Sequence, residues 1–215
     1  MSHNKLQELH AKAFHGLTFG DNGTLDMSQN QLQELPPYVF RGMRRLRILD
    51  LAENELATLS SGVFFGLRYL HSLRLEGNRL RSLGTRPFYW LYDLRELHLE
   101  QNQLTDLDED VFESSVDWYD NSFRRNLLEL NLGGNRLTTL PGGLFNGFKN
   151  LRNLQLQRNL LVRLPQQLFQ TLGEVHWAFL EFLKSKIQHD SCKRRKGFNG
   201  IHLKAWYSCS SERDQ

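Results

Sequence analysis

The chain has 215 residues, a formal net charge of +3, 40% hydrophobic residues and two cysteines. That length suits one folded domain, and no apolar run approaches the ~20 residues needed to span a bilayer. No nucleophile elbow, phosphate loop or zinc-ligand spacing appears, so the residues point to no catalytic centre, no cofactor and no metal.

Repetition begins at the N-terminus. Asn4, Leu6, Leu9, Phe14 and Leu17 match Asn30, Leu32, Leu35, Phe40 and Met43 at an offset of 26. Residues 1–21 therefore read as the back half of a repeat, capping an end that would otherwise expose core. No secretory leader is legible. Met-Ser-His runs directly into repeat sequence, which suggests a longer parent that has been trimmed.

Repeats then run from 22 to 172. Asparagines recur at Asn30, Asn54, Asn78, Asn102, Asn135 and Asn159, stepping by 24 residues except for one step of 33. Each follows a triplet such as Leu46/Leu49/Leu51 or Leu94/Leu97/Leu99, and the first triplet is degenerate, Asn22/Leu25/Met27. Alternation within each triplet predicts a short strand. Behind each asparagine comes a phenylalanine, Phe40, Phe64, Phe88, Phe112, Phe145 and Phe169, which should stack as a convex spine. The long repeat holds an insertion at 113–126 containing Trp118 and Tyr119, read here as folding onto a small core of its own rather than as a contact site.

From 173 to 215 the pattern fades into a C-terminal cap. Val175, Ala178, Leu180 and Leu183 fit strand positions, yet Val175, Ala178, Phe179, Phe182, Leu183 and Ile187 also share a helical face. As a strand, the segment would expose Trp177 and Phe179 at the sheet's end, where aromatics make binding hot spots. As a helix, it would bury them. The tail carries the run Lys193 to Lys196 between Cys192 and Cys209. A run of this kind is usually a solvated face, though it would also hold an anionic polymer.

Leu94 to Asn102 spells L-x-x-L-x-L-x-x-N, and the chain resembles the leucine-rich-repeat superfamily over roughly residues 4–183. The resemblance implies an α/β repeat solenoid, a horseshoe with a parallel concave β-sheet and an irregular or 3-10 convex side. Leu35-Pro36, Leu140-Pro141 and Leu164-Pro165 resemble the extracellular 24-residue class. Within it, the short array, the phenylalanine spine and the compact cap look like variable lymphocyte receptors of jawless vertebrates. Toll-like receptor ectodomains and Slit-type adhesion proteins share the repeat grammar. An extracellular setting would join Cys192 to Cys209 and would permit glycosylation of Asn22 in Asn22-Gly23-Thr24.

Side chains between the strand leucines face the concave side. They form three rows: Thr24, Ile48, Ser72, Glu96, Glu129, Asn153; then Asp26, Asp50, Arg74, His98, Asn131, Gln155; then Ser28, Ala52, Glu76, Glu100, Gly133, Gln157. Six carboxylates against one arginine leave −5 on these rows, inside a chain of +3. The like-charged neighbours Asp26/Asp50, Glu76/Glu100 and Glu96/Glu129 repel by roughly 0.9 kcal/mol each in water, a cost that a binding site explains. Arg74, Asn131, Trp177 and Phe179 are secondary candidates. Arg47, Arg95, Arg152, His71 and His176 form a basic row just before the strands. The acid disfavours nucleic acid as the concave ligand. The open sheet also offers Glu96 and Glu129 nothing to exclude water, so a catalytic pair is not expected. The reading is a secreted or cell-surface recognition module, of innate-immune or variable lymphocyte receptor type, that binds protein antigen or a bacterial surface. The alternative is an adhesion or guidance module that binds a protein receptor or glycosaminoglycan.

Overall fold

The computed structural model describes residues 1–17, 22–113, 122–165, 167–169, 172 and 177–179. Its strands are β1 (Gly23–Asp26), β2 (Leu46–Asp50), β3 (Ser72–Arg74), β4 (Glu96–His98), β5 (Glu129–Asn131), β6 (Asn153–Gln155) and β7 (Trp177–Phe179). They form one parallel sheet in sequence order, as stacked repeats require. Each turn bonds only to its neighbours.

The register is uniform. Leu49, Leu73, Leu97, Leu130 and Leu154 lie side by side, and all five are fully buried. Burying one leucine is worth roughly 1.5–3 kcal/mol. No single turn can cover its own leucines, so the core is continuous along the solenoid. In the degenerate first repeat, Leu25 and Met27 are buried, while Asn22 replaces a leucine at an exposed position.

The asparagines hold the turns together. Asn102 Nδ2 donates to Leu75 O in the preceding turn at 2.9 Å and to Leu99 O in its own at 3.1 Å. Its Oδ1 accepts from Leu80 N at 3.0 Å. Asn30, Asn54, Asn78, Asn135 and Asn159 repeat the pattern. The residue before each is left-handed, from Gln29 (φ 52°) to Arg158 (φ 57°). Only Gly77 and Gly134 occupy that position without strain.

The convex side consists of turns with bonds spanning three residues, such as Arg41 N to Tyr38 O and Met43 N to Phe40 O, the 3-10 spacing. Phe14, Phe40, Phe64, Phe88 and Phe112 stack with centroids 5.8–6.4 Å apart. Phe14 thus joins the first half-repeat to the spine, whereas Leu17 is half exposed. The long repeat adds a short helix, α1 (Ser122–Asn126). Its Phe123 stacks on Phe88 and Phe112 at 6.0 and 6.1 Å. This end of the insertion therefore packs into the main core, not into a separate small one; Trp118 and Tyr119 lie outside the described residues. Arg124 seals the junction, donating to Asn146 O at 2.8 Å with its guanidinium over the Phe148 ring.

At the C-terminal end the strand reading holds. Trp177, Ala178 and Phe179 pair in parallel with Asn153, Leu154 and Gln155. Cys192, Lys193 to Lys196 and Cys209 lie outside the described residues.

Candidate functional site

The register aligns the concave rows as the repeat spacing requires. Thr24, Ile48, Ser72, Glu96, Glu129, Asn153 and Trp177 are successive partners, as are Asp26, Asp50, Arg74, His98, Asn131, Gln155 and Phe179. The candidates do not share one environment, however, and fall into two groups.

The first group is built into the scaffold. Asp26 Oδ1 accepts from Ser28 N at 3.0 Å and Ser28 Oγ at 2.7 Å. These bonds hold its carboxyl below the ordinary aspartate value. Asp50 Oδ1 accepts from Ala52 N, and Asn131 Oδ1 from Gly133 N, both at 3.0 Å. A short polar side chain bonding the amide two residues on is the chemistry of an Asx-turn. It ends three of the strands here. Asp50 also faces Arg74, with Nη1 and Oδ2 3.6 Å apart. The count of six free carboxylates is therefore too high, because two of them serve the fold. Asn131 is buried, so it presents little to a ligand. This role was legible in part: an Asp or Asn two positions before a small residue at a strand end is the signal.

The second group is Glu76, Glu96, His98, Glu100 and Glu129. Glu96 and Glu129 are direct strand partners. Glu76 and Glu100 occupy equivalent positions just past β3 and β4, where Gly77 N donates to Glu100 O at 3.0 Å. Each keeps a buried inner oxygen, Oε2, without a hydrogen-bond partner among the described residues. Burial raises the Glu76 carboxyl above its ordinary value, and Glu100 beside it adds to the rise. His98 Nδ1 lies 3.6 Å from Glu100 Oε1, longer than a hydrogen bond but close for an ion pair. That contact raises the imidazole above its ordinary value against the opposing effect of burial, and Glu76 and Glu129 add to the rise. The cluster is thus short of positive charge and hydrogen-bond donors. An ammonium or guanidinium group supplies both.

The basic row survives in part. Arg47 Nη1 lies 2.6 Å from His71 Nε2, and Arg95 follows at the same position of the next turn. These residues edge the sheet beside the acids without neutralising Glu76 or Glu100. No helix among the described residues is long and apolar enough to cross a membrane.

The family model for leucine rich repeats matches residues 24–80, 68–116 and 125–181. No curated protein matches the sequence. Among solved structures, the Toll chain of the Drosophila Toll–Spätzle complex is 30% identical with a TM-score of 0.71 over 81% of this chain. A leucine-rich-repeat protein of Leptospira interrogans is 27% identical with a TM-score of 0.55 over 70%. The chain spans 22% of the first protein's length and 35% of the second's. Leucine-rich-repeat folds are typically non-enzymatic scaffolds for ligand or protein recognition. By its repeats and its fold, this chain belongs to the leucine-rich-repeat family.

Proposed function

We propose that this chain is an extracellular recognition module of innate-immune type. It binds a cationic or amine-bearing surface on its concave sheet, with Glu76, Glu96, His98, Glu100 and Glu129 as the contact centre. The observation that carries this is the pair of buried oxygens of Glu76 and Glu100 on adjoining turns, unpartnered among the described residues. Leaving such acceptors unmatched costs stability, and a cation at the outer oxygens of the same carboxylates would offset the crowded charge. Toll, described in complex with Spätzle and in innate immunity, supports a protein ligand, and the acidic centre favours one with a lysine-rich or arginine-rich face. Bacterial wall polymers bearing amines have the same chemistry, and a variable lymphocyte receptor-like role would suit either target. Asp26, Asp50, Arg74 and Asn131 frame the site, and Trp177 and Phe179 extend its rows at the C-terminal edge.

The test is to change Glu76, Glu96, Glu100 and Glu129 to Gln, singly and together, and measure binding to whole bacteria and to a panel of basic proteins. A folded quadruple variant should lose binding to both, and wild-type binding should weaken as salt shortens the ~8 Å physiological screening length. Unchanged binding by that variant would remove the concave acids from the site.

A further inference from the structure

A depression of about 410 Å³ lies where the chain enters β2, β3 and β4. Arg47, His71 and Arg95 line it, with Thr24, Ile48 and Glu96. We propose that this notch binds a lone carboxylate, the Asp or Glu side chain of a protein ligand whose basic groups meet Glu76 and Glu100. The identity of that ligand rests on the function proposed above; the notch itself does not.

The three basic residues hold the same position in consecutive turns, linked by His71 N to Arg47 O and Arg95 N to His71 O, both 2.8 Å. Their side chains therefore rise side by side at the ~4.8 Å strand spacing. Arg47 is held in place: Nη1 donates to Tyr69 O at 3.1 Å, lies 3.9 Å from Asp93, and the guanidinium sits 5.5 Å from the Tyr69 ring centroid. A guanidinium only donates, so His71 Nε2 accepts from Arg47 and the neutral ring carries its proton on Nδ1. Burial, then Arg95 and Arg47, keep His71 below its ordinary value, opposed by Asp93 and Glu96. Arg95 is exposed, and its guanidinium has no ion-pair or hydrogen-bond partner among the described residues. Two arginines beside a histidine suit an oxyanion, and when the ring takes its second proton on Nε2 the Arg47 N–H there must turn from the ring to the anion.

Glu96 lines the same notch, and Glu129 is its strand partner. A polyanion would have to cross both, so a single carboxylate flanked by neutral or basic groups fits better. From Arg95 to Glu100 is five residues, at most roughly 17 Å of extended chain, since β4 itself ends at His98. The ligand would present its acid and its bases about that far apart.

The ring nitrogens of His71 report on the notch by NMR, assigned with His71→Asn, in the full chain titrated in sodium chloride and in sodium acetate of equal ionic strength. An oxyanion beside the ring favours the imidazolium, so the midpoint should rise by roughly half a pH unit in acetate. Arg95→Gln should abolish the rise and leave the melting temperature unchanged. Equal midpoints in the two salts, or a rise that survives Arg95→Gln, would overturn the site. A peptide with one glutamate and a lysine pair about five residues from it should act at lower concentration than either pentaglutamate or glucuronate. Pentaglutamate acting first would overturn the lone carboxylate, and glucuronate acting first would overturn the protein source. The acetate and Arg95→Gln readouts do not depend on Glu76 or Glu100 binding a cation, so the two proposals fail separately.

Discussion

Asn102 and Leu75 belong to different turns, yet the side-chain amide of the first donates to the carbonyl of the second at 2.9 Å. With the bonds to Leu99 O and Leu80 N, one buried side chain satisfies backbone groups of two turns. Asn102→Ala would leave those groups unmatched, at ~1–3 kcal/mol each before relaxation. A net loss of about 2–3 kcal/mol, or roughly 5–10 °C in melting temperature, is expected. Thermal denaturation by circular dichroism measures it, and an unchanged midpoint would remove the ladder from the account of stability.

Phe123 ties the insertion to the spine. It is fully buried, stacked on Phe88 and Phe112, and edge-on to Phe148 at 6.3 Å. Phe123→Ala should cost about 3–5 kcal/mol, as large-to-small changes in packed cores do. Denaturant unfolding reads the loss. A cost below about 1 kcal/mol would mean that the insertion is an appendage and not part of the core.

Glu76 offers a test by pH. Its carboxyl is raised above the ordinary value of 4.5, chiefly by burial and then by Glu100. A raised carboxyl favours the protonated folded form, so its contribution to stability is complete below the unfolded value and is lost as pH climbs through the folded one. Glu76→Gln should therefore melt above wild type at neutral pH, with the gap closing in acid below the carboxylate range. A variant less stable than wild type at neutral pH would mean that the Glu76 charge is compensated.

Cys192 and Cys209 are proposed to be joined in the extracellular protein. Intact mass and thiol labelling of secreted material should show no free thiol. Closing that loop should stabilise the cap by roughly 3 kcal/mol, so reduction should lower the melting temperature. Two reactive thiols in secreted protein would refute the pairing.

The solenoid was legible because its information is periodic and local. A leucine that recurs every 24 residues beside an asparagine specifies strand, turn and neighbour at once, since each turn meets only the next. The concave rows and the phenylalanine spine follow from the same spacing. Tertiary structure decided whatever depends on partners across turns. The C-terminal segment fitted both helix and strand, and pairing of Trp177 to Phe179 with β6 decided between them. Phe123 lay in a polar insertion with no periodic neighbour, so only its stacking on both Phe88 and Phe112 shows why it is buried. The carboxylates looked alike in sequence. Asp26 and Asp50 are short enough to reach the amide two residues on, while Glu76 and Glu100 extend onto the sheet with an oxygen unmatched. The difference is position as well as reach, since Asp26 and Asp50 end β1 and β2 while Glu76 and Glu100 lie two residues past β3 and β4, and composition and charge counts do not register it.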